Sequence, residues 1–247
     1  MNQVSPQATE YSMPQSANVD DKEISKFNEI AFRWWDPESE FKPLHDINPL
    51  RLDYINKHSP LNNKNVIDVG CGGGLLSEGM SKLGAKVTGI DMGERPIQVA
   101  KLHLHESKLD INYQQTTAEN FAEQHAGQFE VVSCMEMLEH VPDPGSVIRA
   151  CSKLVKPGGK LFFSTINRNP KSYLYAILGA EYMLQMLPKG THDYKKMIKP
   201  SELARWMRSA EVDLVDISGM AYNPVSKHYS LNKDITVNYL CYAEKSL

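Results

Sequence analysis

The chain has 247 residues, 41% of them hydrophobic and 23% charged, which is enough apolar material for one sizeable core and unlike a disordered polymer. Lys and Arg (27) nearly balance Asp and Glu (30), a formal charge of −3 that argues against nucleic acid as the partner. The cysteines, Cys71, Cys134, Cys151 and Cys241, are far apart with no CxxC pair, as expected of reduced thiols in a cytoplasmic chain rather than a disulfide framework or zinc site.

Residues 1–22 are polar and are expected to form a flexible tail, with a single domain over 23–247. No basic segment followed by an apolar run opens the sequence, so no signal peptide is expected. From Glu23 to Phe32 the spacing of Ile24, Phe27, Ile30 and Ala31 predicts a helix. The stretch RWWDPESEFKPLHDINPLRLDYI follows and completes an N-terminal helical cap over 23–60. Its adjacent Trp34 and Trp35 either pack that cap onto the core or face a substrate.

Strands and helices then alternate. Strands are predicted at 66–70, 86–91, 111–115, 129–134 and 160–165, and helices at 75–84, 96–107 and 144–155. The turn Pro157-Gly158-Gly159 is expected to end the last of these helices. An insertion over 167–199 carries an apolar stretch from Tyr173 to Leu187 that is too short to span a bilayer. A helix over 201–209 is expected to start from Ser201 as its cap. The final strands are predicted at 212–220 and 235–244, with a polar turn region between them. The order predicts an α/β fold: a seven-stranded, mostly parallel sheet with helices on both faces.

The sharpest local feature is VIDVGCGGGLL, residues 66–76, where Gly70, Gly72 and Gly74 follow a strand and precede an apolar helix. Glycines there permit a tight turn and close approach of backbone to ligand, while the helix start offers free N–H groups. Asp91 ends the next strand about 20 residues downstream, where a carboxylate takes the two hydroxyls of an adenosine ribose. A nicotinamide dinucleotide site, or a purely structural turn, remains an alternative on these facts.

DVGCGGG with GIDM resembles the first two motifs of class I S-adenosylmethionine-dependent methyltransferases, whose Rossmann-like fold is therefore expected here. The resemblance implies that the glycine loop approaches the methionine part of the cofactor, that Asp91 and Met92 hold its nucleoside, and that Asp68 orients the amino acid end. It sets Glu119, in ENF, near the adenine. The segments FNEIAFRWWDPESEFKPLHDINPLRLDYI, CMEMLEHVPDP, STINRNPKSY and LPKGTHD further resemble the ubiquinone-biosynthesis O-methyltransferases of bacteria, relatives of the mitochondrial coenzyme Q enzymes. That likeness runs over about residues 22–244 and implies methylation of ring hydroxyls on polyprenylated phenols and quinols. It adds Arg51 as partner of the methionine carboxylate and Met135 as packing against the adenosine. A surface ion pair and ordinary core filling are the plainer readings of these two residues.

A phenol ionises near pH 10, so its methylation is helped by a group that takes or polarises the hydroxyl proton. Three readings compete for Glu136, Glu139 and His140, which follow the fourth strand. His140 is a general base oriented by a glutamate; or all three bind Mg²⁺; or the glutamates only support the fold. His192 and Asp193 are second-choice acid–base residues. Residues 171–190 pack on the core as a helical cap, or they cover the active site, meet a polyprenyl tail, or lie on the inner face of the cytoplasmic membrane, with Lys171 and Lys189 toward anionic headgroups. A different apolar phenol as acceptor, or a scaffolding role in a quinone-biosynthesis complex, are the alternative functions.

Overall fold

The computed structural model describes residues 18–173, 194–223, 225–226 and 228–247. Most of the expected tail, residues 174–193 of the insertion, and with them His192 and Asp193, lie outside the described residues.

Helix α1 (Asp21–Ile30) runs through a 3-10 turn (Ala31–Arg33) toward α2 (Lys42–His58). Then come β1 (Asn65–Val69), α3 (Leu75–Lys82), β2 (Lys86–Asp91), α4 (Glu94–Ser107) and β3 (Ile111–Gln115). The alternation continues with α5 (Ala118–Gln124), β4 (Phe129–Met135), a 3-10 turn (Leu138–His140), α6 (Pro144–Leu154) and β5 (Val155–Ile166). After α7 (Pro170–Ser172) and a turn at Tyr194–Lys196, α8 (Pro200–Ser209) leads into β6 (Val212–Asn223), β7 (His228–Asn232) and β8 (Asn238–Lys245).

The strands form one sheet of eight, in the order β3-β2-β1-β4-β5-β8-β6-β7. β1 to β5 pair in parallel, while β8 runs antiparallel to both β5 and β6. Val66, Ile67, Val131, Val132, Leu161 and Phe162 have no exposed surface, as required of central strands covered on both sides. One face packs against α5, α6 and α8 through Phe121, Ile148, Leu154 and Met207. The other packs against α2, α3 and α4 through Ile55, Met80, Ile97 and Ala100.

Three expectations need correction. The sheet has an eighth strand, because residues read as a polar turn form the β6–β7 hairpin. β7 alternates exposed and half-buried side chains at the sheet edge, and so lacks the apolar run that marks a buried strand. The Pro157-Gly158-Gly159 segment is not a turn between elements: α6 has already ended at Leu154, and the segment lies within β5, whose register shifts against β4 there. Ser201 does not cap α8, which begins at Pro200, with Glu202 accepting the Lys199 N–H at 3.0 Å.

The strand order positions the site. From β1 the chain turns to one neighbour, β2, while β4 and β5 extend the sheet the other way. The loops leaving β1 and β4 diverge and open a crevice at the carboxyl ends of the strands.

Candidate active site

The glycine loop is shaped by what packs against it. Gly70 and Cys71 donate their N–H groups to Ile90 O, at 2.8 and 3.0 Å, which binds the loop to the end of β2. Gly70 and Gly72 have φ of 73° and 53°, where side chains are rarely tolerated. A Cβ at Gly72 would stand 2.1 Å from the Trp34 ring, and one at Gly70 would stand 2.4 Å from Met137. The two tryptophans thus secure the cap to the loop. Trp34 stacks on Phe41 at 4.1 Å between ring centres, and Trp35 Nε1 donates to Gly73 O at 3.0 Å.

Above the loop lies a cavity of about 770 Å³, within the size range of small-molecule sites. Gly70 and Gly72 border it; Gly74 instead starts α3 with its backbone against Tyr113. Asp91 reaches the cavity from the end of β2, with its oxygens accepting from Gly72 N at 2.9 Å and Gly93 N at 2.7 Å. Burial pushes its carboxyl above the usual range, yet each oxygen keeps acceptor capacity for a ribose hydroxyl. Met92, Glu119 and Met135 also line the cavity.

Asp68, on β1, is buried and accepts from Ser77 Oγ at 2.6 Å and Ser133 Oγ at 2.7 Å. Burial outweighs these bonds and raises its carboxyl to about 6. Both oxygens are therefore held by the protein, while the side chain still borders the cavity.

Arg51 projects from α2 and is 4% exposed. Its Nη2 lies 3.1 Å from Glu136 Oε1, and neither Nε nor Nη2 has a hydrogen-bond partner. Buried guanidinium donors left open on a cavity wall fit a ligand carboxylate, which they can take bidentately. Arg51 does form an ion pair, as the plainer reading expects, but with Glu136 and in a buried setting. Together with the Asp91 acceptors, these donors fit S-adenosylmethionine.

Glu136, Glu139 and His140 all line the same cavity but engage different partners. Glu136 directly follows β4 with φ of 51°, a left-handed backbone at a side chain bordering the site. Its Oε1 accepts from Ser164 Oγ at 2.7 Å besides pairing with Arg51. Glu139 is buried and accepts from Thr165 Oγ1 at 2.8 Å; burial, with Glu136 nearby, pushes its carboxyl well up. His140 Nδ1 bonds to Glu23 Oε2 at 3.0 Å.

A Mg²⁺ site at Glu136, Glu139 and His140 is not supported by this arrangement of side chains. Two carboxylates and an imidazole are plausible donors. Here, however, they point to Arg51, Thr165 and Glu23, and no group of three His, Cys, Asp or Glu side chains among the described residues converges to hold an ion.

Lys171 is paired with Asp234 at 2.8 Å. No helix among the described residues is long and apolar enough to cross a membrane. Sequence reasoning missed Glu23 as partner of His140 and missed Tyr222 and Tyr229, which bring the β6–β7 hairpin to the cavity. Nothing near Glu23 in the chain signals its partner, which lies 117 positions away.

A family profile described as a methyltransferase domain matches residues 44–217, and the chain belongs to that family. The fold agrees with it: class I, Rossmann-like, S-adenosylmethionine-dependent. A solved magnesium protoporphyrin IX methyltransferase from Synechocystis PCC 6803, with bound SAM, superposes at a TM-score of 0.64 and 18% identity, covering 94% of this chain and all of that one. At that identity the likeness speaks for the fold alone.

Closer relatives narrow the family to the ubiquinone biosynthesis O-methyltransferases. The protein of that name from Stutzerimonas stutzeri (strain A1501) is 63% identical over 91% of this chain and 97% of its own length. That from Saccharophagus degradans is 60% identical over 94% of this chain and 98% of its own length.

Proposed function

We propose that this chain transfers the methyl group of S-adenosylmethionine to ring hydroxyls of polyprenylated phenols in ubiquinone biosynthesis, both a 2-polyprenyl-6-hydroxyphenol and 3-demethylubiquinol. Identity of 60–63% with relatives of that name, over nearly their whole length, carries this reading. The cavity is compatible with it, its lining including the charged Arg51 and Asp91 and the apolar Phe27, Ile30, Leu44 and Ile47.

The reaction is a single displacement. The phenolic oxygen attacks the sulfonium methyl carbon, the C–S bond breaks, and the electron pair leaves on sulfur as S-adenosylhomocysteine. The phenolic proton passes to His140 Nε2, because Nδ1 is taken by Glu23. Arg51 holds the methionine carboxylate, the glycine loop admits the amino acid portion, and Asp91 holds the ribose. Holding donor and acceptor in line is the larger part of the task.

The reading extends to place. A long-tailed acceptor resides in a bilayer, so contact with the inner face of the cytoplasmic membrane through residues 171–190, or membership of a quinone-making complex, accompanies it. Flotation with anionic-lipid vesicles tests the first; retention in the soluble fraction would remove it.

The test of activity incubates the protein with S-adenosylmethionine and a short-tailed 2-prenyl-6-hydroxyphenol, with Mg²⁺ and with chelator, and detects methylated product by mass spectrometry. Product is expected. Product with Mg²⁺ alone would mean that Glu136 leaves Arg51 to take a cation. No product from protein that binds the cofactor would shift the reading to another apolar phenol or to a scaffold.

A further inference from the structure

α2 carries a second buried polar group on the same side as Arg51. Asn48 stands about one helical turn before it, and both residues border the cavity. Asn48 is 8% exposed, and its Nδ2 donates to Leu75 O at 3.2 Å, on the first residue of α3 just past the glycine loop. A carbonyl can only accept, so the amide must turn its nitrogen to Leu75 and its Oδ1 away. That oxygen is buried and has no hydrogen-bond partner among the described residues. The two helices lie close enough to hold the amide in place: a Cβ at Gly79 of α3 would stand 2.5 Å from Leu52 of α2.

Joining α2 to α3 uses only half of this amide. The tie to Leu75 needs the nitrogen alone, while a buried oxygen left without a donor costs free energy. Arg51 shows the opposite condition beside it, with open donors at Nε and Nη2. An open acceptor next to open donors is complementary to a zwitterion whose two charged groups share one carbon. The α-amino-acid end of S-adenosylmethionine is such a group, and its ammonium brings three N–H donors. Asp68 borders the cavity as well, but both its oxygens already accept from serine hydroxyls. Asn48 Oδ1 is the acceptor that has no bond of its own.

We infer that Asn48 is a binding residue for the cofactor's α-ammonium, its Oδ1 accepting one N–H while Arg51 takes the carboxylate on the same carbon. The inference deepens the S-adenosylmethionine reading of the cavity and rests on it, but does not depend on which acceptor is methylated. One turn of α2 then reads both charges of the amino-acid end. A ligand that lacks the amine loses the contact with Asn48 and keeps the contact with Arg51.

The test is calorimetric and needs no turnover. Kd is measured for S-adenosylhomocysteine, for its deaminated analogue, which keeps the carboxylate, and for 5′-methylthioadenosine, which lacks the amino-acid end. Asn48→Leu keeps a similar volume without an acceptor. In that variant Kd for S-adenosylhomocysteine is expected to rise about 20-fold, with the other two within about threefold of the parent. Equal weakening of all three ligands, or an undiminished preference for the amine in N48L, would overturn the inference in favour of a purely structural tie to Leu75.

Nitrogen-15 NMR of the Asn48 side-chain amide in the parent supplies a readout that a folding defect in the variant cannot disturb. Its NH₂ signal is expected to shift on addition of S-adenosylhomocysteine and to move far less with the deaminated analogue; equal shifts would overturn the inference. A parent that binds none of the three ligands would remove the cofactor reading, and the inference with it. A parent that binds them without distinguishing the amine would overturn the inference alone.

Discussion

The two walls of the cavity are built in opposite ways. On one side, the glycine loop and Asp91 come from one β-α-β stretch, residues 65–91, and bond to each other directly, the Gly72 N–H donating to Asp91 Oδ2. On the other side, Glu23, His140 and Tyr229 arrive from three distant parts of the chain, and Lys196, from a fourth, pairs with Glu23 behind them. One wall is specified by local geometry that admits few residue types. The other is specified by long-range pairing, in which individual partners are exchangeable in kind.

If that contrast is real, mutations on the first wall should abolish binding and those on the second should erode turnover. The largest effect is expected for Gly72→Val. Its φ of 53° disfavours a branched side chain, and the new atoms would overlap the Trp34 ring. Cofactor binding should become undetectable by calorimetry, with a fall of several degrees in Tm. Retention of binding within tenfold would show that Trp34 and the cap yield easily, and the contrast would break.

Arg51→Ala comes next. It removes the open guanidinium donors and leaves the Glu136 carboxylate with Ser164 but no cation. Kd for S-adenosylmethionine is expected to rise about 100-fold, and Arg51→Lys, a point charge without the fork, about 10-fold. Equal, small effects in both would mean that the ligand carboxylate sits elsewhere.

On the second wall, Lys196→Met removes the cation that anchors Asp20 and Glu23 but leaves the Glu23–His140 contact in place. The pairs are partly exposed, so the loss is small. A three- to fivefold drop in kcat with unchanged cofactor Kd is expected. A drop of about 50-fold or more would show that Lys196, rather than the carboxylate–imidazole bond, holds the wall together.

The same contrast explains what could be read from the sequence. DVGCGGG and the downstream Asp91 are legible because left-handed backbone and close packing at Gly70 and Gly72 confine those positions to glycine, and because strand and helix lengths fix the spacing to the acid. Glu136, Glu139 and His140 were legible as a group because the end of β4 brings them to the crevice. Their partners were not, because Thr165, Ser164 and Glu23 belong to other elements and any acceptor or donor of the right reach would serve. β7 was missed for the same physical reason: an edge strand at half burial carries little periodic signal.

Asp68 is the smallest effect and tests the first wall from within. Its carboxyl is raised to about 6 by burial, against an ordinary 3.8. The native state therefore keeps a proton that the unfolded chain has released. Stability without ligand should fall as pH rises from about 4 to 6, and the deficit at pH 7.5 is bounded at roughly 3 kcal/mol. Asp68→Asn keeps the shape and can still exchange hydrogen bonds with Ser77 and Ser133. The variant is expected to be 1–2 °C or more higher in Tm than the parent at pH 7.5 and equal to it at pH 4. A positively charged ligand amine beside Asp68 would offset the burial, so S-adenosylmethionine should raise the Tm of the parent more than that of D68N. If both proteins gain equally, the carboxylate serves only to join β1, α3 and β4, and the two serine hydroxyls are its whole purpose.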